Sequence, residues 1–294
     1  MGANIEKTLN EKIGGYKLPA DFKCLSLDFL KSLTDLSFQE RIVSIYQFVL
    51  NKTIPETFFE SIDLAEYPAN VYGVDDEISV LELFDGNTLT FLDYAFGNSL
   101  EEKVSSLAFA IVSAYVDLCD SKIVNFGEKI NIVADASNGI IALSLEFAKR
   151  IKLPIETLIL GVDKLCDSTL KGVYFNASLD GEVEEIISMF YDETDYLLDP
   201  VSANGLVAYD YFYSDYEDDK ISLLIALNSP YLFARSLLKT ITGINEISVD
   251  KAIKKLCEFT AIEVPSSIEN GGVQPFYKKN NEILVKDALE IIKG

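Results

Sequence analysis

The residue types that most often carry catalysis are scarce in this chain of 294 residues. Histidine, the most common general base and metal ligand at neutral pH, is absent. Cysteine occurs without the paired Cys-x-x-Cys spacing of zinc and redox sites, at Cys24, Cys119, Cys166 and Cys257. No pair of aspartate or glutamate residues has a spacing that defines a general acid and base. We therefore expect reduced, mostly buried cysteines and no site that residue types alone would identify.

The segment from Leu81 to Tyr94 has the most informative local pattern. It reads Leu-Glu-Leu-Phe-Asp-Gly-Asn-Thr-Leu-Thr-Phe-Leu-Asp-Tyr. The apolar run from Ile78 to Phe84 predicts a strand, and the Asp-Gly-Asn that follows predicts a turn. The apolar periodicity after the turn predicts the start of a helix.

This segment resembles the threonine synthase segment Leu-Glu-Leu-Phe-His-Gly-Pro-Thr-Leu-Ala-Phe-Lys-Asp-Phe, whose lysine holds pyridoxal phosphate (PLP) as a Schiff base. Leu92 stands at the lysine position, and a leucine has no amine with which to form that bond. The resemblance also implies that Asp85 and Thr88 border a remnant of the cofactor site. It implies no catalytic residue and no bound PLP in this chain.

A second match is the strand-to-helix turn from Val133 to Gly139, followed by Ala-Lys-Arg-Ile-Lys-Leu-Pro-Ile. It is similar to the family's Val-Pro-Thr-Gly-Asn-Phe-Gly-Asn and Ala-Lys-Lys-Met-Gly-Leu-Pro-Ile, where a glycine-rich loop holds the PLP phosphate on backbone amides. Ser137, Asn138 and Gly139 keep part of that loop, but the first glycine is lost and Asp135 adds a negative charge, which disfavours a bound phosphate. Capping preferences favour Asp135 or Ser137 as the N-cap of the helix, and residual anion binding stays an alternative.

A third match runs from Ile225 to Phe233, where the family reads Ala-Thr-Ala-His-Pro-Ala-Lys-Phe and its threonine hydroxyl faces the pyridine nitrogen. Leu227 stands at the threonine position and cannot hydrogen-bond, so we expect it to pack in the core. Asp199 to Gly205 resembles Asp-Pro-His-Thr-Ala-x-Gly, and Ala177 to Asp180 resembles Pro-Ser-Met-Asp, both as scaffold. These matches follow the family's order along the chain, which makes the combined resemblance stronger than any one motif.

The apolar pattern predicts an α/β fold. Helical periodicity through Phe38, Ile42, Ile45 and Val49 predicts a helix in the first part of the chain, and Asn98 to Leu118 reads as a long amphipathic helix. Strands are predicted at 129–134, 158–162 and 223–227, and helices at 182–190, 202–212, 230–240, 249–259 and 282–292. Strands alternating with helices predict a mostly parallel sheet covered by helices on both sides, in three layers.

The resemblance implies the large domain of the fold-type II PLP enzymes, which include the tryptophan synthase β subunit, with its twisted, mostly parallel sheet. In the family a whole small domain lies between the lysine helix and the helix that matches Asn98 to Leu118. Here only a few residues near Gly97 and Asn98 separate them, so we expect the smaller domain to be largely missing. We predict an N-terminal helical and extended region at 1–80, an α/β core at 81–245 and a C-terminal helical segment at 246–294.

The charge of the chain restricts its partners. Its formal net charge is −22, with Asp and Glu in excess along the whole length. A field of that sign repels phosphate backbones and anionic lipids, so we expect neither nucleic acid nor membrane as a partner. No signal peptide opens the chain and no apolar run is long enough to span a bilayer, which predicts the cytoplasm. A protein partner, a homo-oligomer and a small-molecule ligand in the remnant cleft stay open.

The segment from Tyr209 to Asp219 has the most unusual local composition, reading Tyr-Asp-Tyr-Phe-Tyr-Ser-Asp-Tyr-Glu-Asp-Asp. Aromatic and acidic residues together can form a recognition surface for a basic partner or a cation. The alternative, which we favour, is a helix end whose aromatic residues pack inward while its charges face water.

Three functions remain compatible with the sequence. The first is a threonine synthase-like protein that has lost PLP catalysis and serves as a binding partner, regulator or scaffold. The second is a PLP-dependent lyase acting on O-phosphohomoserine, in which another lysine, such as Lys149 or Lys164, replaces the missing one. The third is a sensor of an amino acid or phosphate, since ligand sites lie at the carboxyl ends of parallel strands.

Overall fold

A computed structural model describes residues 18, 21–53, 70–83, 100–162, 171–245 and 248–260. Its strands are β1 Asn70–Gly73, β2 Ile78–Glu82, β3 Ile130–Asp135, β4 Ile155–Gly161, β5 Val173–Asn176 and β6 Ser222–Ala226. Its α-helices are α1 Leu27–Lys31, α2 Phe38–Leu50, α3 Leu100–Asp120, α4 Gly139–Arg150, α5 Glu182–Thr194, α6 Pro200–Tyr216, α7 Ala234–Thr242 and α8 Val249–Thr260. A 3₁₀ turn at Pro230–Phe233 leads into α7.

The six strands form one mixed sheet in the order β1-β2-β6-β3-β4-β5. Strand β1 pairs antiparallel with β2, and the other four pairings are parallel. Parallel pairing places the carboxyl ends of β2 to β6 along the same edge of the sheet, which we call the carboxyl edge. The α/β fold with a mostly parallel sheet is therefore confirmed.

Both faces of the sheet are buried, and its central strands are accordingly mostly apolar on both sides. In β6, Leu223 and Ile225 contribute to the core that α2, α3 and α4 cover. The intervening residues Leu224 and Ala226 contribute to a second core, formed with α5 to α8. The alternation of side chains along a strand thus produces the three predicted layers, helix, sheet and helix.

Helix α6 lies unusually close to the sheet because a glycine stands at each of two contacts between them. A Cβ atom on Gly161, at the end of β4, would collide with the backbone oxygen of Asn204 in α6. A Cβ atom on Gly205 would lie 2.8 Å from the backbone carbon of Ala134 in β3. Only glycine, which has no Cβ atom, permits this approach. The close packing brings the amino-terminal half of α6 directly onto the carboxyl ends of β3 and β4.

Helices α2 and α6 begin at residues whose side chains cap them. Helix α2 has a complete capping box, in which Ser37 accepts from the Glu40 amide and the Glu40 carboxylate accepts from the Ser37 amide at 2.8 Å. Asp199 caps α6, with Pro200 at its first position. All predicted elements within the described residues are present, with ends shifted by a few residues. The predicted helix at 282–292 lies outside them.

The structure also contains elements that the periodicity does not predict, namely α1, β1 and β5. Each is only four or five residues long. Of the cysteines, Cys119 and Cys257 are buried, Cys24 is exposed and Cys166 lies outside the described residues. Over the described part of the chain, no helix combines the length and hydrophobicity needed to cross a membrane.

Candidate functional site

Polar side chains collect at the carboxyl edge, the region of a parallel sheet where ligand sites usually lie. Three carboxylates reach this edge from different elements. Asp135 ends β3, Glu82 ends β2, and Asp199 caps α6 from the other side of the sheet. Each of them is held by hydrogen bonds, which determine what the edge can bind.

Asp135 is 6% exposed and is the centre of the first group. Its carboxylate accepts from the Ser137 amide and from the Ser137 hydroxyl, both at 3.0 Å. It also accepts from the side-chain amide of Asn204 in α6, whose oxygen in turn accepts from the Ser178 hydroxyl at 2.7 Å. The Ala136 amide donates to the Gly161 carbonyl at 2.8 Å. The Asp135 carboxylate and the Asn204 side chain thereby join the loops that follow β3 and β5, and a backbone hydrogen bond ties the loop after β3 to the end of β4.

The first turn of α4 obtains its cap from a different residue. Asn138 is the N-cap, because its side-chain oxygen accepts from the Ile140 amide at 3.0 Å. The prediction that Asp135 or Ser137 caps this helix is therefore wrong. The carboxylate of Asp135 turns back to Ser137 and Asn204 instead, which leaves the capping position to Asn138, a residue with the same capping preference. Gly139 is the first helical residue and is buried.

Asp199 is the centre of the second group and is 1% exposed. Its carboxylate accepts from the amides of Val201, at 2.9 Å, and Ser202, at 3.3 Å, and from the Ser202 hydroxyl. The side-chain amide of Asn228, in the loop after β6, donates to it at 3.3 Å. Burial raises the pKa of Asp199 to about 6, although these four donors oppose the shift. The edge thus contains a carboxyl group that titrates close to neutral pH.

Glu82 forms the third group with two tyrosines. The hydroxyl of Tyr196 donates to its carboxylate, and Tyr72 from β1 also hydrogen-bonds to it. Burial raises the pKa of Glu82, and burial beside this carboxylate raises that of Tyr196 well above the usual value. Over the described residues, neither Glu82 nor Asp199 forms an ion pair with lysine or arginine. These two carboxylates are held by neutral donors.

The remaining predicted site residues have different surroundings. Leu227, just after β6, is 5% exposed and belongs to the core on the α3 side of the sheet. Two residues further, Ser229 is 2% exposed and its hydroxyl has no hydrogen-bond partner among the described residues. Asp85, Thr88 and Leu92 lie outside the described residues, so their predicted roles stay predictions. Of the predicted set, the structure brings Ser137, Asn138 and Gly139 together at one turn.

Sequence reasoning missed the residues that join these groups. Asn204 and Tyr196 have no local signal, because each acts on a carboxylate that is 69 or 114 positions away in the chain. Asp199 does have a local sequence signal. An Asp-Pro pair before an apolar helix is typical of an N-cap followed by a proline at the first helical position. Among the described residues, no cluster of three or more acidic or cysteine side chains has the arrangement of a metal site.

Comparison with known proteins gives a match in structure alone. No protein-family model matches the chain, and no curated protein sequence does. Among solved structures, threonine synthase from Escherichia coli aligns with a TM-score of 0.61 and 14% identity, over 88% of this chain and 92% of that chain. Yeast threonine synthase aligns with a TM-score of 0.61 and 12% identity, over 88% of this chain and 91% of that chain.

A third neighbour is the PLP-bound threonine synthase from Brucella melitensis, with a TM-score of 0.58 and 13% identity, over 88% of this chain and 92% of that chain. These alignments span most of the neighbours' length, and the loss of the smaller domain stays a prediction. At such low identity they establish the fold and leave the activity open. The chain therefore shares the fold of the threonine synthases, as the resemblance of its segments predicts.

Proposed function

We propose that this chain is a threonine synthase-like protein that has lost PLP catalysis and acts through binding, as a partner, regulator or scaffold. The observation that carries the proposal is the position of the Asp135 carboxylate. It accepts hydrogen bonds at the start of α4, at the turn that matches the phosphate loop of the threonine synthases. By the resemblance of this turn, the protein's own carboxylate belongs to the loop that in that family holds the phosphate of its cofactor.

The donors at this turn do not fit a phosphate. The Ser137 amide is engaged by Asp135 and the Ile140 amide by Asn138, so two of the backbone donors at this helix start are already satisfied. A phosphate would have to displace the carboxylate or lie beside it, and two anions at hydrogen-bonding distance repel strongly unless cations separate them. This agrees with the sequence, in which the first glycine of the family loop is missing.

The other two positions of the family pattern also disagree with PLP chemistry. Leu227 is buried among apolar side chains and offers no hydroxyl for a pyridine nitrogen. Leu92 offers no amine. Because the replacements affect three separate contacts, restoring one of them does not restore the site.

A replacement lysine is the central requirement of the alternative, a lyase acting on O-phosphohomoserine. Lys149 does not meet it, because it lies in the last turn of α4, at the opposite end of the helix from Asn138. Its ammonium group donates to the carbonyls of Lys171, at 2.9 Å, and Gly172, at 3.2 Å, just before β5 begins. A helix of 12 residues separates its ends by roughly 18 Å. Lys164 lies outside the described residues.

The test is whether the purified protein takes up PLP. We expect no visible imine band after incubation with PLP, and no PLP-modified lysine by mass spectrometry after borohydride reduction. A threonine synthase treated in parallel gives the positive signal. A stoichiometric adduct at one lysine, together with threonine formation from O-phosphohomoserine, would overturn the proposal. The variant Leu92→Lys should remain as colourless as the wild type, because Asp135 and Leu227 are unchanged.

A role as a small-molecule sensor is a narrower form of this proposal. A ligand that binds only the folded protein raises its thermal midpoint. A thermal-shift series with amino acids, inorganic phosphate and PLP therefore separates a sensor from a protein that binds macromolecules only. Our expectation of a cytoplasmic protein with a protein partner or a homo-oligomeric assembly belongs to the same proposal.

A further inference from the structure

An exposed group of tyrosines and carboxylates lies where α5, α6 and β5 meet, and its carboxylates are not among the three described at the carboxyl edge. Three of its side chains are large and strongly exposed, with Leu179 at 68%, Tyr216 at 64% and Tyr211 at 38%. We call it the tyrosine surface, and it consists of Tyr174, Leu179, Glu182, Tyr211, Asp215 and Tyr216.

Hydrogen bonds hold this surface in one arrangement. The Tyr211 hydroxyl donates to Glu182 at 2.6 Å, and the Leu179 amide donates to the other oxygen of the same carboxylate at 2.6 Å. One turn further along α6, Asp215 accepts from the Tyr174 hydroxyl at 3.0 Å. The aromatic rings are therefore positioned in advance, which reduces the entropy lost when a partner binds.

The rings of the surface also pack against one another. Tyr174 and Tyr216 meet edge to face, with ring centroids 6.0 Å apart and planes at 88°. Both rings contact Phe212, which is buried beneath them, with centroids at 5.4 Å and 4.9 Å. The interpretation of this segment as a helix end with inward aromatic residues is thus correct for Tyr209 and Phe212 and wrong for the exposed Tyr211, Tyr213 and Tyr216.

The surface is negatively charged without a neutralising partner. No lysine or arginine of the described residues forms an ion pair with Glu182 or Asp215. Asp210 and Glu217 add further exposed carboxylates on the same helix, in a chain whose net charge is −22. Tyrosine faces and carboxylates side by side are the two groups that bind a guanidinium or ammonium ion best.

The surface borders an edge of the sheet. Strand β5, which carries Tyr174, is the last strand in the order, and no other described strand pairs with its outer side. An edge strand presents backbone donors and acceptors to which an extended segment of another protein can add as a further strand. Main-chain pairing along β5 would align the side chains of that segment with the tyrosine surface.

We infer that the tyrosine surface and the outer edge of β5 dock an extended, arginine- or lysine-containing segment of a partner protein. The segment pairs with β5 through its backbone, and its cationic side chains lie on Tyr211 and Tyr216 beside Glu182 and Asp215. This inference depends on the contacts of α6 and β5 and is independent of whether the chain binds PLP. It therefore stands or fails separately from the proposed loss of catalysis.

The test is fluorescence anisotropy with a labelled eight-residue peptide of alternating arginine and valine, at physiological ionic strength. We expect Tyr211→Ala and Asp215→Asn each to weaken binding by roughly threefold to fivefold, the range expected for one cation–π contact or one partly exposed charge pair. The same peptide N-methylated at alternate residues should bind more weakly than the parent, because it lacks donors for the strand edge.

Matched controls lie on the opposite flank of α6 and near the end of α5. Tyr213 is 39% exposed, almost the same as Tyr211, but its ring contacts Tyr209 on the other side of the helix. Tyr213→Ala, and Asp192→Asn near the end of α5, make the same chemical changes outside the surface and should leave the affinity within twofold. Equal weakening by both sets would show attraction to overall charge and would overturn the inference. So would absence of binding, or undiminished binding of the N-methylated peptide.

Discussion

Asp135 is the residue with the most consequences, because three donors from two elements converge on its carboxylate. Replacing it by asparagine keeps the size but places an NH₂ group where a buried acceptor is needed. We expect Asp135→Asn to lower the free energy of unfolding by about 1–3 kcal/mol, the cost of leaving buried donors unpaired. Urea unfolding followed by circular dichroism measures this.

The control for that change is Asp210→Asn, which alters an exposed carboxylate on α6. Surface substitutions of this kind usually change stability by less than about 0.5 kcal/mol. If Asp135→Asn were as mild as the control, the carboxylate would not be held as described, and the argument against a phosphate at this turn would lose its basis.

Asp199 makes the stability of the protein depend on pH near neutrality. Its pKa in the folded protein is about 6, whereas an unfolded aspartate titrates near 3.9. The folded state binds the proton more tightly, so the contribution of Asp199 to the free energy of unfolding decreases as the pH rises through 6. Linkage gives a loss of about 1 kcal/mol between pH 5 and pH 7.

Asp199→Asn tests this, because asparagine also caps helices and does not titrate. We expect the urea midpoint of the wild type to fall more steeply from pH 5 to pH 7 than that of the variant. Parallel curves for the two proteins would mean that Asp199 is already ionised at pH 5.

At the scale of elements, the approach of α6 to the sheet depends on Gly161. A methyl group there collides with the backbone of Asn204, so the helix must move away from β4. We expect Gly161→Ala to destabilise the protein by about 1–3 kcal/mol, as overpacking of a core does. Gly73 is a matched control, since it also ends a strand but a Cβ there meets nothing closer than 4.0 Å. Thermal unfolding of the two alanine variants measures the difference, and equal midpoints would contradict the close contact.

The sequence predicts the long elements well because their apolar periodicity is repeated over several turns or over a whole strand. Helix α3, for example, has 21 residues, and its apolar residues recur every three or four positions in the sequence, but it is buried on all sides from Val104 to Val116 and is less amphipathic than that spacing predicts. Strands β1 and β5 lack this support. Each is four residues long, and their residues are exposed or only partly buried. Their strand conformation therefore depends more on pairing with β2 and β4 than on their own composition.

The whole molecule carries a net charge of −22, which opposes the compact state by self-repulsion. Added salt screens that repulsion, so the thermal midpoint should rise between 20 mM and 300 mM sodium chloride. Each kcal/mol gained corresponds to roughly 2–4 °C for a chain of this size class. Choline chloride should have the same effect if screening is the cause. A midpoint that stays constant or falls would show that repulsion does not limit stability.

The candidate site is less predictable than the fold because its contacts join residues that lie far apart in the chain. Its turn, Ser137 to Gly139, is local and was found, whereas the choice of Asn138 as the cap depends on where the Asp135 carboxylate points. That direction is set by Asn204, which the whole fold brings to β3 through the close packing of α6. Residue spacing cannot show such a contact, because it arises only when the sheet and the helix are assembled.

Tyrosine hydroxyls that donate to carboxylates have a spectroscopic consequence. Tyr174, Tyr196, Tyr209 and Tyr211 bind Asp215, Glu82, Glu77 and Glu182. The chain contains 15 tyrosines and no tryptophan, so its intrinsic emission comes from tyrosine alone. A carboxylate bound to the phenol quenches that emission by drawing on its proton in the excited state. Unfolding should therefore make the protein brighter, and a segment that engages Tyr211 should change the emission without any attached dye.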